Sequence, residues 1–254
     1  MTSNPVVRLS SERLRVVPWR GHADIAQVTP MPNAPPPDAA AVGRCLRMLA
    51  DRQVQEVVTG ALAPAEQQAF LDAGFTVRER LHLLSRPLRH LPDPPPIRTR
   101  RPRRSERAPI LALDQRAFDE FWRLDGPGLN DALSATATAR LRVVAGTPIP
   151  PGAAPDPDVL DHRPRIDGYA VTGRSGTRGY LQRLAVDPRL QGRGIAAALV
   201  IDGLRWLRRH GAERAVVNTQ VGNESALRLY YRLDFRPEPE GLAVLTSTTG
   251  AVRR

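Results

Sequence analysis

The chain is 254 residues long, room for one large domain or two small ones, and its formal net charge of +11 rests on 37 arginines with no lysine. With 25 prolines and abundant alanine, this bias reflects a GC-rich coding preference as much as a basic surface, so it argues only weakly for a nucleic-acid partner. A single cysteine, Cys45, excludes an internal disulfide, no apolar run approaches ~18 residues, and the start Met-Thr-Ser-Asn-Pro lacks a signal-peptide core, so the sequence reads as a soluble cytoplasmic protein with no membrane segment.

In chain order, residues 1–85 hold a helix with Cys45, Leu46 and Leu49 on its apolar side, an apolar pair Val57-Val58, and Ala69-Phe70 followed by Gly74-Phe75. Residues 86–107 carry eight arginines and six prolines against one aspartate and one glutamate. Proline denies helix and sheet pairing and like charges extend a chain, so this stretch reads as an exposed linker, a solvated connector or else a patch for an anionic partner. From about residue 108 a second domain is expected: a strand over 109–113, a helix over 115–123 with Phe118, Phe121 and Trp122 on its core face, and a short helix over 128–136. Strands follow at 140–145, 166–173 and 179–186, then a glycine loop, the apolar helix 195–207, a strand 214–219, a helix 224–233 and a closing strand near 243–247. The proline-rich stretch 147–164 reads as a long hairpin loop inside this domain.

The most informative segment is Gln182 to Ala197, a short apolar strand, Asp187-Pro188, glycines at Gly192 and Gly194, and the start of the apolar helix. A glycine loop feeding a helix N-terminus presents bare backbone N–H groups to phosphate, and the helix dipole adds about 0.3 to 1 kcal/mol for an anion there. A nucleotide P-loop is excluded because Gly-Lys-Ser/Thr is missing, and a dinucleotide fingerprint because the third glycine is missing. What remains, Gln191-x-x-Gly194-x-Ala196, resembles the Gln/Arg-x-x-Gly-x-Gly/Ala motif of GNAT-family N-acetyltransferases. Downstream, Asn223-x-x-Ala226-x-x-Leu229-Tyr230-x-x-x-Asp234-Phe235 resembles the family's Asn-x-x-Ala-x-x-Leu-Tyr-x-x-x-Gly-Phe segment, with aspartate in the place of glycine. Aspartate tolerates a left-handed cap better than most residues.

The resemblance implies an α/β (α+β) fold, a mixed, splayed central sheet flanked by helices, with a whole GNAT domain over 108–254. A weaker echo in 1–85, where Leu46 to Leu49, Val57-Val58 and Phe70 to Phe75 follow the spacing of Leu204 to Leu207, Val216-Val217 and Tyr230 to Phe235, implies a degenerate partial GNAT-like unit. Such a tandem is similar to actinobacterial acetyltransferases of the mycothiol-synthase type. Where the first unit would need its phosphate loop it has Met31 to Asp38 with four prolines, which remove N–H donors, and where it would need an acid it has Phe70.

The implied activity is direct transfer of an acetyl group from acetyl-CoA to an amine of a small molecule or protein through a tetrahedral intermediate, without a metal. By resemblance, the backbone of Leu184, Ala185 and Val186 holds the pantetheine, with Val186 N–H as oxyanion donor. The amides of Gln191, Gly192, Arg193, Gly194, Ile195, Ala196 and Ala197 hold the pyrophosphate, with Arg193 adding charge. Tyr230 is the general acid, and Asn223 caps the following helix and touches the pantetheine. An acceptor amine near pKa 10.4 is only about one part in 10³ neutral at pH 7, so a base is needed. Many family members place glutamate near Gln182, which cannot serve; Asp119, Glu120, Asp125 and Asp131 are candidates through a water relay. The histidines sit singly, with no metal spacing. Two alternatives stay open, an acetyl-CoA-binding regulator that has lost catalysis and an adaptor for an acidic or nucleic-acid partner using the arginine-rich linker. A monomer or homodimer binding one acetyl-CoA is expected.

Overall fold

The computed structural model describes residues 7–9, 13–20, 22–31, 34–148 and 165–250. The described chain separates into two compact units, residues 1–83 with 218–224 and 237–254, and residues 84–217 with 225–236. The division differs from the sequence expectation in two respects. The closing strand belongs to the first unit, and residues 86–107 belong to the second instead of standing between domains.

In the first unit, β1 (Val7–Leu9), β2 (Leu14–Pro18) and β3 (Ile25–Pro30) form an antiparallel run. Helix α1 (Ala39–Asp51) crosses to β4 (Glu56–Thr59), parallel to β3, and α2 (Pro64–Asp72) leads to β5 (Thr76–Pro87). The last strand of the chain, β11 (Leu242–Thr248), enters between β4 and β5, antiparallel to both. It goes there because alternate residues Ala243 and Leu245 are fully buried with Phe70, Phe75, Leu46 and Cys45 in one apolar cluster.

In the second unit, α3 (Arg107–Ala117) and α4 (Gly126–Ser134) precede β6 (Thr138–Val144), β7 (Gly168–Ser175) and β8 (Arg178–Val186). Then come α5 (Ile195–Arg209), β9 (Arg214–Gln220), α6 (Glu224–Arg232) and the short β10 (Arg236–Pro237). The strand order within this unit is β9-β8-β7-β6. Alternation puts Val143, Tyr169, Val171 and Ala185 against Ile110, Leu113 and Leu129 of α3 and α4, whereas Val144, Ala170 and Leu184 pack on Ile195 and Leu199 of α5.

The expected strand at 109–113 is instead the middle of α3, whose Ile110 and Leu113 repeat at helical spacing and are both buried. Phe118, Phe121 and Trp122 lie beyond the end of α3 and are half-buried. The expected hairpin over 147–164 falls mostly outside the described residues, as does His162.

Residues 86–107 are not a solvated connector. Leu88 is buried with the α5 cluster and Leu91 packs on it, Arg100 exchanges two backbone hydrogen bonds of 2.9 Å with Val143, and Glu106 is fully buried, paired with Arg100. Proline stretches need few ladder partners, so the segment follows the unit's surface through scattered apolar anchors instead of through a continuous ladder.

The echo between the halves is a structural repeat. Helices α1 and α5 both end with a left-handed residue, Gln53 at φ 64° and Gly211 at φ 84°, and with amides reaching back to Leu49 and Leu207. Helices α2 and α6 both end in a Schellman-type cap: Phe75 N–H to Phe70 C=O and Phe235 N–H to Tyr230 C=O, each 3.0 Å, around Gly74 and Asp234 at positive φ. The ring at each helix's first cap partner meets the aromatic five residues on edgewise, at 5.2 Å for Phe70 and Phe75 and 5.5 Å for Tyr230 and Phe235.

Candidate active site

The second unit's chemistry is organised around the point where β8 leaves β9. The two strands pair only over Arg178–Tyr180 against Arg214–Val216, while β8 runs on to Val186. A bulge explains the parting: β7 Thr172 faces Leu181 and Val171 faces Arg183, so Gln182 is an extra residue, and bulges bend the strand that carries them. At the far end, Asp187 N–H donates to the Asp167 carbonyl at 2.9 Å. Antiparallel ladders alternate in direction, so the N–H groups of Leu184 and Val186 face away from β7, toward the edge that β9 has left.

The loop after β8 is held from beneath. Asp187, fully buried, accepts from Arg189 N–H and its guanidinium at 2.7 to 3.0 Å, with Arg116 3.7 Å away. Burial opposes its charge but is outweighed by these hydrogen bonds and charges, which hold the carboxyl below the usual aspartate range. Leu190 anchors the loop in the apolar cluster of Ile195 and Leu199. Gly192 and Gly194 have φ of 76° and 84°, a region that strains other residues. Gly194 is the N-cap of α5 without a side-chain cap bond, and the helix's hydrogen bonding begins with Ala198 N–H to Gly194 C=O, so the amides of Ile195, Ala196 and Ala197 precede the ladder. A side chain at Gly194 would face Ile97 and Pro95, 3.5 to 3.7 Å away.

Tyr230 is buried and shares an apolar cluster with Leu184, Ala196 and Ala197, so one region gathers the strand, the helix start and the phenol. Burial pushes its hydroxyl above the ordinary tyrosine value, and the group keeps its proton well beyond neutrality. Gln191 and Gly192 are exposed at the loop tip, and the Arg193 guanidinium is turned to the Pro148 carbonyl at 2.6 Å instead of standing free over the loop. Asn223 lies immediately before α6 and is grouped with the first unit.

The carboxylates considered as bases are engaged or exposed. Asp125 caps α4 through Gly128 N–H at 2.7 Å, and Asp119, Glu120 and Asp131 are exposed. The Gln182 side-chain oxygen is buried without a hydrogen-bond partner among the described residues. Sequence reasoning missed Asp114, fully buried on α3, which takes two hydrogen bonds of 2.8 Å from Arg183 and one from Leu124 N–H, together with the Tyr169 hydroxyl. Arg183 lies 3.4 Å over the Phe118 ring and donates to Trp122 C=O. This cluster ties α3 to β7 and to β8 beside the bulge. Its acceptor positions are filled, so Asp114 braces the strand and is no free base. The only signal in the sequence was an aspartate at a buried helical position, which has no meaning until its arginine is placed.

Residues 155–235 match the model of the acetyltransferase (GNAT) family. This chain carries a GNAT acetyltransferase domain. Mycothiol acetyltransferase of Salinispora arenicola is 32% identical over 214 residues, 76% of this chain and 64% of that protein. Mycothiol acetyltransferase of Saccharomonospora viridis is 29% identical over 59% of this chain and 48% of its own length. N-alpha-acetyltransferase 30 of Schizosaccharomyces pombe is 40% identical over 58 residues, 23% of this chain and 39% of that protein. The aligned stretches take in less than two thirds of the length of each of these relatives. Among solved structures, a tandem GNAT protein from the clavulanic acid biosynthesis pathway superposes with a TM-score of 0.64 at 14% identity, covering 93% of this chain and 78% of that one. A GCN5-related N-acetyltransferase from Kribbella flavida gives 0.61 at 14%, covering 96% and 90%. These likenesses establish the fold, and the GNAT mixed sheet and tandem organisation read from the motifs agree with them. No described helix is long and apolar enough to cross a membrane.

Proposed function

We propose that the chain transfers an acetyl group from acetyl-CoA directly to the nitrogen of an amine. The observation that carries this reading is the unpaired stretch of β8 ending beside an open helix N-terminus, with a protonated phenol in the same cluster. The amides of Gln191 to Ala197 would hold the pyrophosphate, since they combine unengaged N–H groups with the positive end of α5. The outward N–H groups of Leu184 and Val186, with Ala185 between them, would hold the pantetheine and meet the carbonyl oxygen as charge develops on it. Acetyl-CoA supplies the acetyl carbon and a thiolate leaving group. The amine nitrogen adds to the thioester carbonyl to give a tetrahedral oxyanion, which collapses as the C–S bond breaks; the thiolate takes the Tyr230 proton, and the amine's proton leaves to solvent or base.

The acceptor is an amine of a small molecule or a protein. The names mycothiol acetyltransferase and N-alpha-acetyltransferase among the relatives put both kinds into a screening panel. Screening CoA release against amines, amino sugars and peptides tests the reading; acceptor-dependent release confirms it, and tight acetyl-CoA binding without release to any acceptor refutes it. One observation favours a second reading, an acetyl-CoA-binding regulator: the bulge residue is Gln182, and Asp114, the carboxylate bound to its neighbour Arg183, is fully engaged.

A further inference from the structure

A cavity of about 910 Å³ lies in the second unit, bounded by the segment before α3, by α3 and α4, and by β6. Its size falls within the range of small-ligand sites, roughly 300 to 1,000 Å³. The floor is apolar, made by Leu129, Leu133 and Leu141. The walls carry Arg101, Arg103, Arg104 and Arg107, with Arg140 and Arg142 along the strand, and no carboxylate lines it among the described residues.

The nearby acids are already committed. Glu106 takes Arg100 in a two-pronged pair at 2.6 and 2.8 Å, Asp202 takes Arg140 and Arg142, and Asp125 caps α4. Arg107 has only neutral partners, Gly126 C=O and Asn130 Oδ1. Arg101 and Arg104 make no side-chain hydrogen bond or ion pair among the described residues. Assembling guanidinium groups around one hollow costs repulsion that an anion relieves. Along the strand, burial lowers the pKa of Arg140 to about 10, with Arg142 and Arg209 adding to it against the pull of Asp202, and its Nε is buried without a hydrogen-bond partner among the described residues.

We propose that this cavity is a second ligand site, apart from the β8-to-α5 loop, for a small organic polyphosphate. The apolar floor takes the ring or hydrocarbon body, and Arg101, Arg103, Arg104 and Arg107 take at least two phosphate groups. Guanidinium is suited to this because its planar fork matches phosphate oxygens two at a time. The apolar floor favours a compact molecule with an apolar body over the backbone of a nucleic acid, which would need a charged stripe instead of a hollow. Neither part of the inference depends on the acetyl-transfer reading.

The test is calorimetric titration of the full chain with ATP, in the presence of saturating acetyl-CoA so that the glycine loop is occupied. One equivalent of ATP is expected to bind, and inorganic tripolyphosphate more weakly because it has nothing for the floor. The exposed double variant Arg101→Gln/Arg104→Gln, with its melting temperature checked, should lose roughly tenfold or more in ATP affinity while keeping acetyl-CoA binding. The proposal is overturned by no saturable ATP binding while acetyl-CoA is saturating, or by unchanged affinity in the double variant. Tighter binding of a single-stranded oligonucleotide than of ATP would also overturn it and assign the arginines to nucleic acid.

Discussion

The two halves of the chain repeat one plan, a strand, a loop, a helix, a parallel strand and a capped helix, yet they differ wherever coenzyme chemistry would make a demand. In the first half, β3 stays zipped to β4 from Ile25 with Glu56 to Val28 with Thr59, and Gly60 N–H continues to Val28 C=O. In the second half, pairing stops at the position equivalent to Val57, because the Gln182 bulge turns β8 away. The start of α1 is sealed by its own Asp38, whose carboxylate accepts Ala41 N–H at 2.7 Å, and Pro35, Pro36 and Pro37 before it have no N–H to offer. The start of α5 is left open by Gly194. The phenol of Tyr230 corresponds to the bare ring of Phe70. The caps and core thus recur in both halves, while the unpaired amides and the phenol occur only in the second; under the proposed function the caps serve stability and the amides serve binding.

The strongest way to break the comparison is to give the second helix the first helix's cap. Gly194→Asp brings a negative charge to the N-cap of α5, on a left-handed backbone position whose side chain starts toward Ile97 and Pro95, and acetyl-CoA affinity should fall about 100-fold, ~2.7 kcal/mol, the scale of repulsion between unit charges a few ångströms apart near a surface; fluorescence or calorimetric titration reads it. Removing the phenol imitates Phe70. Tyr230→Phe should lower kcat by roughly 10 to 10³, about 1.4 to 4 kcal/mol, with acetyl-CoA affinity held, and undiminished turnover would reject the acid assignment.

The same phenol sets a pH expectation. An unfolded tyrosine loses its proton near pH 10, and burial delays that loss in the folded chain. The stability Tyr230 contributes is therefore whole below about pH 10 and is lost as pH rises beyond it, and a pH–kcat profile should show no loss of the acid between about pH 8 and about pH 10. A smaller effect is expected at Gly168, where an added methyl would meet Ile195 at 2.7 Å and Leu199 at 3.1 Å. Gly168→Ala should cost about 1 to 3 kcal/mol of stability in thermal unfolding and shift the first turn of α5. Least of all, Asp38→Ala should cost about 1 kcal/mol of stability through the lost cap and leave acetyl-CoA binding unchanged.

Much of this was legible in the sequence because it is local. Gly192 and Gly194 before an apolar helix, Tyr230 and Asp234 at fixed spacing, and the echo in Phe70 and Phe75 each show within a few residues. What escaped depends on partners far apart in the chain. The Gln182 bulge exists only against β7, Asp114 is meaningful only with Arg183 and Tyr169, and β11 joins the first unit because Ala243 and Leu245 find their apolar partners some 170 to 200 residues upstream. Residues 86–107 misled for the opposite reason. Composition reports mean solvation, whereas a handful of anchors, Leu88, Ile97 and the Arg100 to Val143 bridge among them, decide where such a segment lies.

The claim that one half binds and the other only scaffolds is tested most directly by the stoichiometry of acetyl-CoA in isothermal calorimetry of the full chain. One equivalent that Gly194→Asp weakens or abolishes is the expected result. Two equivalents, or one that survives Gly194→Asp unchanged, would contradict it.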